Sequence, residues 1–270
     1  MVLHELTSSI LFMFYRLIIF IAILLFPCLS SAENEAKVAR WYKVYWNNVY
    51  IADFKAEIGE KSMVVDIDSR GIVKKISKYT NHTYSKFHVE NGNYVQEYFE
   101  SHLRQRQGTK EVAIYYDKNG KIRSETLTPP DSKGKRPLVA KEAKAGVVDP
   151  LFAAIVARDK IKAALADGTK SFNFNIYDGR RLSRLEFNIY GMENIKILEK
   201  KQDVVKISFK RIAIDGFTNN ELKRMKGEEP DFVLYLEPGT LFPVKADAAA
   251  PLGKATFMLE RECMSMEECR

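Results

Sequence analysis

The sequence predicts a mainly β protein, α+β in its layering. A long antiparallel meander curls into a half-barrel or open barrel, with one helix at about residues 149–166 packed on it. Three observations predict this. Asn91-Gly92, Asn119-Gly120 and Asp178-Gly179 separate runs rich in aromatic and β-branched residues, and such pairs supply the positive φ of tight type I′ turns. Polarity alternates along the runs: Leu185, Phe187 and Ile189 share one face against Arg184, Glu186 and Asn188, and Val205, Ile207 and Phe209 alternate with Lys206, Ser208 and Lys210. A single segment has helical period with start and stop signals. A twisted sheet of about a dozen strands curls rather than staying flat.

The chain opens on a leader. Leu17 to Phe26 is an apolar run directly after Arg16, broken by Pro27 and followed by Ser30-Ser31-Ala32. A basic flank, a short apolar segment and small residues at the exit make a secretory signal peptide over residues 1–32. The run is shorter than the ~20 residues a membrane span needs. The expected mature protein is one domain, residues 33–270, in the periplasm and not transmembrane after processing. An uncleaved anchor is the rival reading. Lipidation at Cys28 is disfavoured because Pro27 precedes it, and Met13 is an alternative start.

Residues 41–46 and 49–58 read as a hairpin through Asn47-Asn48, followed by strands at 62–68 and 71–79. Runs 83–90 and 93–106, then 110–117 and 121–127, form the next pairs. Residues 129–148, rich in Pro and Lys, read as a long exposed connection. Asp149 then caps the helix, with Pro150 at its first position. Leu151, Ala154, Ile155, Ile161 and Leu165 line one face, and Asp167-Gly168 ends it. Strands at 171–177, 180–190, 205–210, 232–237, 241–247 and 253–262 complete the chain.

The net charge of +7 lies in the mature part, since Glu5 and Arg16 are the leader's formal charges. A basic exported protein suits anionic surfaces such as phospholipid headgroups or lipopolysaccharide; export disfavours nucleic acid. Cys263 and Cys269 are placed to close a small disulfide in an oxidising compartment. His82 and His88, six apart on one strand, stand about 20 Å from each other, too far to share a metal. No metalloprotease, nucleophile-elbow or clustered-cysteine motif is present. The sequence therefore implies no cofactor, no metal and no enzymatic activity; an envelope hydrolase is the least supported class.

Several landmarks together resemble the DUF3108 family of exported bacterial proteins. They are Asp149-Pro150-Leu151, Tyr177-Asp178-Gly179-Arg180-Arg181, Leu241-Phe242-Pro243-Val244-Lys245-Ala246-Asp247 and Leu252-Gly253-Lys254-Ala255, in order from about Trp41 to Glu260. Asn48 and Ala52 depart from the glycines of the family pattern. The resemblance implies a periplasmic β-rich domain whose molecular function is not established.

Arg180 and Arg181 are candidate anion contacts, because guanidinium offers a bidentate fork; the competing reading is a solvent-facing hairpin tip. Arg158, inside the helix's apolar stripe, either snorkels outward or pairs with a buried carboxylate. Trp41, Tyr42, Tyr45, Trp46, Tyr50 and Phe54 crowd the first hairpin, either lining a groove for a lipid tail or glycan or forming ordinary core and edge. The expected function is an envelope-associated protein of unestablished molecular activity that binds or carries a lipid, its acyl chain held in the curved sheet while basic side chains meet the anionic headgroup. The alternative is an interaction module that docks on an envelope protein through strand edges or the 129–148 connection.

Overall fold

The computed structural model describes residues 38–130, 136–197, 200–225, 232–250 and 253–269. The leader and the expected mature start at Glu33 lie outside the described residues. The chain first builds β1 (Val38–Trp46), β2 (Val49–Ile58), β3 (Ser62–Ser69), β4 (Thr80–Glu90), β5 (Asn93–Gln105), β6 (Gly108–Tyr116) and β7 (Ile122–Thr128). After the connection come β8 (Ser171–Tyr177), β9 (Leu182–Ile197), β10 (Lys200–Asp215), β11 (Phe232–Leu236), β12 (Pro243–Ala250) and β13 (Gly253–Cys263). All 13 form one sheet in the order β7-β6-β5-β4-β3-β2-β1-β13-β12-β11-β10-β9-β8, antiparallel throughout. Two meanders thus meet where β1 pairs with β13, joining the described ends of the chain.

The helices are α1 (Gly71–Ser77), α2 (Phe152–Asp167) and α3 (Asn219–Arg224), with a 3-10 turn at Glu142–Lys144. Segment 71–77 departs from its expected strand. Its β-branched residues suggest extension, but Val73 and Ser77 are the buried pair, one helical turn apart. Positive φ at Gly71 and Lys78 lets this turn start and stop within the β3–β4 connection. Asn47-Asn48 and Asn91-Gly92 do make two-residue turns with positive φ at both positions. Asp178-Gly179 sits instead in a four-residue loop between β8 and β9, and Asn119-Gly120 in a longer one.

Asp149 acts as the expected cap, although α2 begins at Phe152: its Oδ1 accepts from the backbone N–H of Leu151 and Phe152, both at 2.8 Å. The helix lies on the inner face of the sheet. Ala153, Ala154, Ala157, Ile155 and Ile161 are all buried in the same core as inward residues of both meanders. Small alanines let the helix backbone approach the strands closely, and Phe152 packs on Phe87 of β4 with ring centroids 5.9 Å apart.

Strand pairing leaves the sheet unclosed between β7 and β8, and the connection lies along that seam. Val148 forms a parallel bridge to Ile176. Lys144 pairs with Glu125 of β7 at 2.6 Å and stacks over Tyr177 of β8 at 4.6 Å. The described part of the connection is therefore only partly exposed: Leu138 faces solvent, whereas Val139 and Val147 are buried in the core. The result is an open barrel.

Candidate functional site

Inner residues are committed to the core, so recognition chemistry falls to the outer face. There the register places one row of side chains around the barrel. It runs from Lys206 (β10) through Tyr235 (β11), Lys245 (β12) and Met258 (β13) to Lys43 (β1). It continues through Asp53 (β2), Asp68 (β3) and Thr80 (β4) to Arg104 (β5). The row is basic and aromatic on the β10–β1 side and turns acidic at Asp53.

Cations and rings interleave on the basic side. Lys206 lies 5.8 Å from the Tyr190 ring and 6.0 Å from Tyr235, and Lys245 lies 5.1 Å from Tyr235. In the neighbouring row Trp41 stands directly between Lys55 and Arg261, and their charged heads lie 5.9 and 4.9 Å from its ring, within cation–π range. Lys43, Lys206 and Lys245 each have a carboxylate close by, in Glu260, Glu193 and Asp247. Among the described residues Lys55 and Arg261 have none. Beside this belt, Val204, Val244 and Ile197 form a small apolar cluster with Ile195, Tyr235, Met258 and Leu259 packed against it.

Asp53 anchors the belt. Its Oδ1 accepts from Trp41 Nε1 at 2.7 Å and from the Tyr50 hydroxyl, and its Oδ2 pairs with Arg70 Nε. Burial alone would raise its pKa, but the hydrogen bonds from Tyr50, Trp41 and Arg70 outweigh that and hold it below the ordinary value. Strand alternation divides the first hairpin's aromatics. Tyr42 and Phe54 are buried in the core and Trp46 packs against it, whereas Trp41 and Tyr50 reach Asp53 on the outside. They do not line one groove.

On the acidic side, β3, β4, β5 and β6 carry a groove of about 330 Å³ lined by Asp66, Asp68, Thr80, His82, His102, Arg104 and Thr109 among others. Asp66, His82, His102 and Glu111 face one another in register. His82 Nδ1 meets Asp66 at 2.6 Å, and this hydrogen bond raises the imidazole pKa above 6.5. His102 lies 3.4 Å from Glu100 and 3.7 Å from Glu111. No group of three or more His, Cys, Asp or Glu residues among the described residues is arranged to hold a metal.

The arginines singled out from sequence all have protein partners. Arg158 pairs with Asp159 on its own helix at 2.8 Å, a carboxylate that is itself exposed, and its guanidinium lies 6.0 Å from the Tyr94 ring. Arg180 donates to the Pro129 carbonyl at 2.7 Å. Arg181 corrects the solvent-facing expectation: it is buried, 2.6 Å from Glu221 and 3.6 Å from Asp178. The seam packs over this hairpin end, so its charges are neutralised internally. Glu221 also takes both Nη atoms of Arg136 at 2.8 Å and forms the capping box of α3 with Thr218. Sequence reading missed the Asp66–His82–His102 row, because only the register brings residues of different strands together. Cys263 and Cys269 form the expected disulfide, with Cα atoms 5.7 Å apart.

No helix among the described residues is long and apolar enough to cross a membrane. None of the curated proteins matches this chain. Among solved structures, a β-barrel-like protein of a domain of unknown function, DUF1849, from Brucella abortus is similar at 9% identity. That match covers 86% of this chain and 98% of the other, with a TM-score of 0.34. The family model for proteins of unknown function DUF3108 matches residues 42–260. The chain belongs to the DUF3108 family.

Proposed function

We propose that this protein is an exported, non-enzymatic component of the cell envelope that docks on an anionic surface through the outer belt of β10–β13 and β1. The observation that carries the reading is the interleaving of Lys206, Lys245, Lys43, Lys55 and Arg261 with Tyr235, Tyr190 and Trp41 on one face. Amphipathic rings and basic side chains together suit the headgroup layer, where each Lys or Arg near an anionic leaflet contributes about 1 kcal/mol. The leader and the Cys263–Cys269 disulfide support a periplasmic location.

Lipid contact belongs outside the bowl on this reading. Inside, an acyl chain would have to displace α2 and buried rings such as Phe54, Phe87 and Phe187. Docking through strand edges has less to stand on, since Val148 occupies part of the β8 edge.

Flotation with vesicles tests the reading. The protein is expected to float with phosphatidylglycerol but not phosphatidylcholine vesicles, and to be released by salt. Reversing Lys55 and Arg261 to Glu should weaken binding by about tenfold or more. Equal binding to both vesicle types, or a reversed variant that binds like the parent, would refute it.

A further inference from the structure

The groove on β3, β4 and β5 holds two charges of opposite sign that the fold does not use. Its other ionic groups are engaged: Asp66 with His82, and His102 with Glu100 and Glu111. Asp68 and Arg104 differ. Among the described residues neither side chain makes a hydrogen bond or ion pair, and Asp68 only adds to the field at Arg70, whose guanidinium is committed to Asp53. They stand on either side of Thr80 in one register row. Neighbouring strands lie ~4.8 Å apart, so the two backbones are about 10 Å from each other. The short Thr80 between them, with Thr109 beyond Arg104, leaves the floor low. The His82 and His102 rings, 6.5 Å apart, stand one row over as a wall.

We propose that this groove binds a small zwitterion, a free amino acid or dipeptide, with its ammonium at Asp68 and its carboxylate at Arg104. A plain anion would meet Asp66 and Asp68, and a plain cation would meet Arg104 beside the His82 imidazole that Asp66 holds toward its charged form. A molecule carrying both charges satisfies each side. Guanidinium binds carboxylate through a bidentate fork. A backbone separation of about 10 Å is bridged by one or two residues of ~3.5 Å each together with the two side chains that rise from the strands. The volume, about 330 Å³, falls within the range of small-molecule sites. The site is independent of the basic belt.

Chemical-shift mapping on the labelled protein decides this with four probes: alanine, dialanine, N-acetyl-dialanine and dialanine amide. Alanine or dialanine is expected to move the amides of Asp68, Thr80 and Arg104, and blocking either terminus should remove the effect. Asp68→Asn and Arg104→Gln should each weaken binding about tenfold while leaving the rest of the spectrum unchanged, because both side chains sit at the surface. Absence of any shift at these amides with either free-terminus probe would overturn the proposal. Equal binding of the blocked probes, or a variant that binds like the parent, would do the same.

Discussion

Buried Arg181 and partly buried Glu221 form an ion pair at 2.6 Å, joining the β8–β9 turn to the first turn of α3. Arg136 from the connection grips the same carboxylate, so three segments distant in sequence are tied at one atom group. Glu221 is the shared member, and removing it leaves Arg181 and Arg136 without this carboxylate; an uncompensated buried charge costs about 3–5 kcal/mol. Arg181→Met leaves Glu221 on Arg136, so it is expected to lower the urea midpoint less than Glu221→Gln and more than Arg180→Met, which gives up its bond to the Pro129 carbonyl.

The same carboxylate sets the acid limit. Burial would raise the Glu221 pKa, but Arg136, Arg181 and the Thr218 backbone outweigh that and depress it from 4.5 to about 2. Burial pulls Arg181 down to about 10, still charged at neutral pH. A depressed carboxylate contributes stability that is complete above pH 4.5 and lost as pH falls through about 2. Denaturation curves should show this acid limb, and Glu221→Gln should flatten it at the expense of overall stability.

Asp149 acts in the opposite sense. It is fully buried, and desolvation raises its pKa from 3.8 to about 7 despite hydrogen bonds from Phe152, Ser85 and Leu151. The folded state then holds a proton that the unfolded chain has released, so stability falls as pH rises from about 4 to 7. Asp149→Asn keeps an acceptor for the helix N–H groups and should remove this decline. Asp149→Ala loses the cap as well, at about 1–2 kcal/mol. Urea titrations at pH 5 and pH 8 separate the two outcomes.

Gly216, between β10 and α3, has a φ of +76°, and a Cβ there would collide with the Arg180 carbonyl. Backbone cannot swing aside as a side-chain tip can. Gly216→Ala should destabilise by about 1–3 kcal/mol, whereas Gly146→Ala, with nothing within 4 Å of the added carbon, should lose only the positive-φ component. Thermal melts would rank the pair.

Local chemistry wrote much of the fold into the chain. Asn91-Gly92 marks its turn because the tolerance for positive φ belongs to those residue types themselves and needs no distant contact. The Asp149 cap was legible for the same reason. Segment 71–77 was not, since Ile72 and Val73 favour extension and tertiary packing overrode them. The Arg136–Glu221 contact spans a separation of 85 residues, so no local pattern announces it. The outer row is hidden in sequence for a similar reason: Lys43 meets Met258 only once β1 and β13 pair.

The belt itself is most directly tested at Trp41, one of two tryptophans in the chain. In a Trp46→Phe variant its emission reports the environment of the face between Lys55 and Arg261. Docking predicts a blue shift on adding phosphatidylglycerol vesicles that is reversed by salt and absent with phosphatidylcholine. Emission that stays unchanged, or shifts equally with both lipids, contradicts it.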